Sequence, residues 1–115
     1  MENSRIKVSV YCITYNHEKY IRDALEGIVK QKTNFRYEVF VHDDASTDNT
    51  QEIVKEYAKK YPGIIFPILQ TENQYSQGIH IFKTHILPKM NGEYIAICEG
   101  DDYWIDEYKI QKQVD

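Results

Sequence analysis

At 115 residues, with 42% hydrophobic and 28% charged residues, the chain has the make-up of one globular domain, 1–115, and not of a disordered or membrane-embedded segment. A net charge of −4 leaves no dense basic patch for phosphates and argues against nucleic acid as a partner, and no apolar run approaches the roughly 20 residues of a spanning helix. Cys12 and Cys98 both sit in apolar runs, so buried thiols in a reducing, cytoplasmic setting are expected in place of a disulfide framework.

Met1-Glu2-Asn3-Ser4-Arg5 leads straight into strand-like sequence, and no export leader is expected there. Lys7 to Ile13 is rich in β-branched and aromatic residues with little polarity, the pattern of a strand inside a parallel sheet. From Glu18 to about Gln31, Tyr20, Ile21, Ala24, Leu25, Ile28 and Val29 recur at helical spacing, with Asn16 placed as an N-cap. Tyr37 to His42 is a second strand. It opens into Asp43-Asp44-Ala45-Ser46-Thr47-Asp48-Asn49-Thr50, a loop full of helix-capping chemistry. A helix follows with Ile53, Val54, Tyr57, Ala58 and Tyr61 inward, stopped by Pro62-Gly63.

Ile64 to Leu69 reads as a third strand, and Pro67 places it at a sheet edge because proline cannot donate to a ladder. A polar loop, Thr71 to Gly78, precedes a short helix over Ile79 to Leu87 that ends near Pro88. Glu93 to Cys98 is the fourth strand. From Asp106 the tail is expected to be helical, with Ile105, Ile110 and Val114 inward. Alternation of strand and helix with short connections is the signature of an α/β sheet with helices on its faces.

The fourth strand delivers Glu99-Gly100-Asp101-Asp102. By itself this reads as a solvated acidic turn. Three carboxylates so close together repel one another unless a counter-charge intervenes, and a divalent cation is the usual remedy. Gly100 allows a sharp turn or a close approach of the backbone. Thr14-Tyr15-Asn16 and Asp43-Asp44 end two other strands, and in α/β sheets ligands bind beyond the carboxyl ends of the strands. Three polar strand ends together point to one composite site.

The stretches Val8 to Asn16, Val39 to Thr50 and Gly92 to Asp102, in that order and spacing, resemble the N-terminal part of a family 2 glycosyltransferase. The resemblance implies a GT-A, Rossmann-like sheet with helices on both faces, ending before the acceptor half. It implies an inverting transferase that moves a sugar from a nucleotide-diphospho-sugar, a uridine one by expectation, to a hydroxyl of a glycan or lipid-linked glycan, as in polysaccharide biosynthesis. Thr14 and Tyr15 would line the base pocket, and Asp44 would accept a hydrogen bond from the base imide, a role suited to an acceptor-only group.

By the same resemblance Asp102 is the expected ligand of Mg²⁺ or Mn²⁺, Asp101 stands nearer the ribose or metal, and Glu99 replaces the more frequent aspartate of the Asp-any-Asp signature. Lys83 falls near the position of a family arginine that meets the phosphates. Its competing reading is a solvated helix lysine. Asp43, Ser46, Thr47 and Asp48 are expected to act as caps, and His17, His42, His80 and His85 as structural residues. The family's catalytic base lies later in its sequence, as does any segment for peripheral membrane association, so no catalytic residue is assigned here. A non-catalytic nucleotide-binding or interaction module on the same fold is the rival reading. A nucleotidyltransferase ranks last, because Thr14-Tyr15-Asn16-His17 is not a glycine-rich basic loop.

Overall fold

The computed structural model describes residues 5–115; residues 1–4, on which the expected absence of an export leader largely rests, lie outside the described residues. Four strands, β1 (Ile6–Thr14), β2 (Arg36–Asp43), β3 (Ile65–Leu69) and β4 (Tyr94–Ile97), form one parallel sheet in the order β3-β2-β1-β4. Among the described residues three α-helices accompany them: α1 (Ile21–Val29), α2 (Thr50–Lys60) and α3 (Lys109–Val114). The chain winds outward from β1 through β2 to β3, then returns to the other side of β1 for β4. The strand order therefore reverses between β1 and β4, and a crevice opens at their carboxyl ends.

Side-chain alternation divides the sheet into two faces. Val8, Val10, Cys12, Val39 and Val41 pack against Ile21, Leu25 and Ile28 of α1, Val54 and Tyr57 of α2, and Ile110 of α3. On the other face Phe40 packs with Ile81 and Ile86, supported by Tyr11, Ile13 and Phe82. That second cover is a π turn (Phe82–Ile86) followed by a 3-10 turn (Leu87–Lys89), where sequence periodicity predicts one short helix. Burial of both thiols is as expected, and it pushes the Cys98 pKa up to about 12. β3 is an edge strand, in accord with Pro67. β4 forms the opposite edge, with Tyr94, Ile95 and Ile97 each about half exposed.

Two expectations are corrected. Helix α1 begins at Ile21, three residues beyond the expected start, and Asn16 does not cap it. Asn16 instead adopts a left-handed conformation (φ 53°) and spends its side chain on the neighbouring loop. Ile105 is 85% exposed, and Trp104 takes the inward position, because the backbone of Trp104 packs directly against Gly27 of α1. A Cβ at Gly27 would stand 2.6 Å from the Trp104 carbonyl oxygen, so only glycine permits the approach.

Behind the sheet, at the amino ends of the strands, a polar latch joins three segments. Glu38 is 4% exposed. Its Oε2 accepts the Ser9 hydroxyl (2.6 Å) and the Asn91 N–H (2.7 Å), and its Oε1 accepts the Asn91 amide (3.2 Å). Ser9 Oγ in turn accepts the Gly92 N–H at 2.8 Å. A buried carboxylate is tolerated where donors surround it in this way.

His42 supplies a pH test of this core. It is fully buried, its ring stacks on His85 with centroids 5.6 Å apart, and its Nδ1 has no hydrogen-bond partner. Burial holds its pKa below the usual histidine value, against the pull of the Asp44 and Asp43 carboxylates and with a contribution from His85. Above the unfolded-state pKa of about 6.5 the neutral ring's stabilisation is fully present, and it is lost as pH falls through the folded-state value. The urea midpoint should therefore drop between about pH 7.5 and about pH 5.5, and His42→Phe should flatten that drop. The same slope in the variant would assign the titration to another group.

Candidate functional site

A cavity of about 580 Å³ opens at the carboxyl ends of β1 and β4, beside the reversal in strand order. Ile13, Ile81, Thr14, Tyr15 and Asp44 line it, and the exposed Glu99 stands at its rim. Four of the residues singled out from sequence thus meet in one place. Asp101, Asp102 and Lys83 do not line the cavity. Lys83 lies exposed on the π turn, where its backbone N–H donates to His80 Nδ1 at 3.2 Å.

Hydrogen bonds between the β1–α1 and β2–α2 loops hold this end of the sheet together. The Asp44 N–H extends the ladder to the Thr14 carbonyl (3.0 Å). The Asn16 N–H donates to Ser46 Oγ (2.8 Å), and Asn16 Oδ1 accepts the Thr47 N–H (2.8 Å). Asp48 behaves as the capping chemistry implies, accepting both the N–H and the hydroxyl of Thr50 at the start of α2. The capping expected of Asp43, Ser46 and Thr47 is not seen, since their bonds run within and between loops and not to the start of α2; Asp43 accepts the N–H and hydroxyl of Ser46. Ala45, between them, is held at φ 64°, a conformation that costs a non-glycine residue about 1 kcal/mol.

Asp44 is 2% exposed and holds three neighbours at once. Its Oδ1 accepts the Gln74 N–H (2.7 Å) and its Oδ2 the Tyr75 N–H (3.1 Å), while its carbonyl accepts the Asn73 side-chain amide (3.0 Å). The expected loop over Thr71 to Gly78 is in this way fastened to the end of β2, and it carries a 3-10 turn, Tyr75–Gln77. Asn73, Tyr75 and Ser76 complete the cavity wall. None of these three is singled out by the sequence, because the loop that carries them is placed by bonds to Asp44, far away in the chain. His17, expected to be structural, also lines the cavity, with Nδ1 3.0 Å from Thr14 Oγ1.

The acidic run prolongs β4. The Cys98 N–H reaches the Tyr11 carbonyl (3.0 Å) and the Gly100 N–H the Ile13 carbonyl (3.3 Å), after which a turn closes from Asp102 N–H to the Glu99 carbonyl (3.0 Å). Gly100 is buried, and a Cβ there would lie 2.4 Å from Thr14 Oγ1 and 2.6 Å from His17 Nδ1. The glycine therefore serves close approach, pressing the acidic turn onto the rim of the cavity. Glu99, Asp101 and Asp102 remain exposed, and Asp102 Oδ1 accepts the Tyr103 N–H at 2.8 Å.

Among the described residues no three His, Cys, Asp or Glu side chains gather as a ready-made metal cage. The donor set nevertheless fits Mg²⁺ or Mn²⁺. Such ions take hard oxygen ligands, and Mg²⁺ sites commonly use one or two carboxylates completed by substrate phosphates and water. No described helix is long and apolar enough to cross a membrane.

Comparison with known proteins places the sequence and the fold. The family model described as "Glycosyl transferase family 2" matches residues 9–115. An uncharacterised protein of Mycobacterium tuberculosis is 49% identical over 107 residues, which is 93% of this chain and 30% of that protein. The crystal structure of Staphylococcus aureus TarS 1-349 in complex with UDP-GlcNAc matches with a TM-score of 0.77 and 32% identity, covering 95% of this chain and 30% of that one. A mannosyltransferase from Pyrobaculum calidifontis, in complex with GDP-Man and Mn²⁺, matches with a TM-score of 0.75 and 26% identity, covering 96% and 32%. In each comparison the chain spans about a third of the other protein.

Proposed function

The chain belongs to glycosyl transferase family 2, and from that premise we propose that it is the donor-binding part of an inverting, metal-dependent glycosyltransferase. The donor in this reading is a nucleotide-diphospho-sugar carrying uridine, and the acceptor is a hydroxyl of a glycan or lipid-linked glycan. One observation carries the proposal: Thr14, Tyr15 and Asp44 converge on a single cavity with Glu99 at its rim, and the exposed carboxylates of Asp101 and Asp102 follow directly from that rim. Structural neighbours that hold UDP-GlcNAc and GDP-Man support a nucleotide sugar as the ligand class.

Each residue has work that its chemistry suits. Tyr15 offers a half-exposed ring for the base. Asp44 closes the inner wall as an acceptor, with lone pairs beyond the two that hold the Tyr75 loop. Asp102 and Asp101 would hold Mg²⁺ or Mn²⁺ against the diphosphate, with Glu99 beside the ribose or the metal. The bound ion supplies a Lewis acid that offsets charge on the departing nucleoside diphosphate. Lys83 would contribute only at a distance, as a point charge.

Titration calorimetry with UDP tests the reading. Binding should require Mn²⁺ or Mg²⁺ and be lost in Asp102→Ala. A folded chain with no UDP affinity in Mn²⁺ would sink the proposal and favour a non-catalytic module on the same fold.

A further inference from the structure

We propose that Tyr75 is a further ligand-contacting residue of this site, sharing contact with the nucleobase with Tyr15; the inference rests on reading the cavity as a nucleotide-sugar site. Tyr75 lines the cavity, as Tyr15 does, yet is 79% exposed. A large aromatic side chain so little packed contributes little to the core.

Its backbone, by contrast, is firmly held. The Tyr75 N–H is bound by the buried Asp44 carboxylate, and the Tyr75 carbonyl accepts the Gly78 N–H at 3.0 Å. Gly78 takes the left-handed conformation (φ 76°) that ends the turn. Asn73 Oδ1 accepts the Ser76 N–H, and the Gln74 side chain meets His85 Nε2 at 2.8 Å. A stiff backbone that presents an exposed aromatic ring is the arrangement binding proteins use for recognition, since only two side-chain torsions remain to be ordered when a ligand arrives.

A flat apolar partner with a π face satisfies such a ring, and the nucleobase is the part of a nucleotide sugar that has one. Asp44 then acts on the ligand twice, by lining the cavity and by positioning Tyr75. The second action makes Asp44 a positioning residue as well as a contact.

The test compares Tyr75→Ala and Tyr75→Phe by titration with UDP and with inorganic pyrophosphate, both in Mn²⁺. UDP affinity should fall about tenfold in Tyr75→Ala and hold within about twofold in Tyr75→Phe, in keeping with base–aromatic stacking. Pyrophosphate, which has no base, should bind all three proteins alike. Hydrogen exchange should find the Gln74 amide equally protected in each, showing that the turn persists. A wild type that binds UDP while Tyr75→Ala matches it overturns this inference alone, as does an equal loss for pyrophosphate. A wild type that binds no UDP overturns the donor-site reading and this inference with it.

Discussion

Gly100→Ala is expected to lower UDP affinity in Mn²⁺ by tenfold or more. The added Cβ would lie 2.4 Å from Thr14 Oγ1 and 2.6 Å from both Thr14 Cβ and His17 Nδ1, well inside contact distance. Thr14 is 1% exposed and its short side chain has nowhere to retreat, so the acidic turn must lift away from β1. Asp101 and Asp102 ride on that turn. Their distance from the cavity would grow while their chemistry stayed the same. Overpacking of this kind also costs about 1–3 kcal/mol of stability, to be read from urea unfolding. Gly63→Ala makes the control, since a Cβ there meets nothing within 4 Å. Wild-type affinity in folded Gly100→Ala would show that the turn does not need to sit against Thr14.

Glu38→Ala should act in the opposite manner, harming the fold and sparing the ligand chemistry. Removing this carboxylate strands the Ser9 hydroxyl, which is fully buried, and releases the Asn91 N–H and amide. Asn91 is exposed and can recover water, whereas Ser9 cannot. An unsatisfied buried donor costs about 1–3 kcal/mol, and the emptied volume adds to that, giving a loss of about 3 kcal/mol. Glu38→Gln should lose less, because its amide oxygen can still accept the Ser9 and Asn91 donors. Urea midpoints measure both variants; an Ala midpoint equal to the Gln one would mean that acceptor chemistry at this position is immaterial. Glu38 lies at the far end of the sheet from the cavity, so UDP affinity measured well below the unfolding transition should hardly change.

The parts of this architecture that follow from local periodicity were legible in the chain itself. β1 and β2 announce themselves by apolar, β-branched runs, α1 by Ile21, Ala24, Leu25 and Ile28, and the edge position of β3 by Pro67. The meeting of Thr14, Tyr15, Asp44 and Glu99 was legible too, because parallel strands put all their carboxyl ends on one side. What escaped depends on contacts between distant segments. Asn16 has the composition of a cap, but Ser46 and Thr47 claim it from another loop. Trp104 and Ile105 are adjacent and both hydrophobic, and the contact of the Trp104 backbone with Gly27 accompanies the inward turn of Trp104. Tyr75 becomes part of the site through Asp44, a bond that no spacing rule encodes.

One consequence of the two glycine contacts on β1 concerns chain length. Gly92 abuts Val8 and Ser9 at one end of β4, and Gly100 abuts Thr14 at the other. Between them the strand runs in fixed register from Val8↔Tyr94 to Tyr11↔Ile97. The segment is thus a ruler, pinned at both ends to the same neighbour. Its half-exposed side chains at Tyr94, Ile95 and Ile97 leave room for chemical drift. Insertion or deletion of a residue does not have that freedom, since a slip by one position sends every side chain to the opposite face and draws the acidic turn off its mark. For this stretch the number of residues constrains the structure as much as their kind.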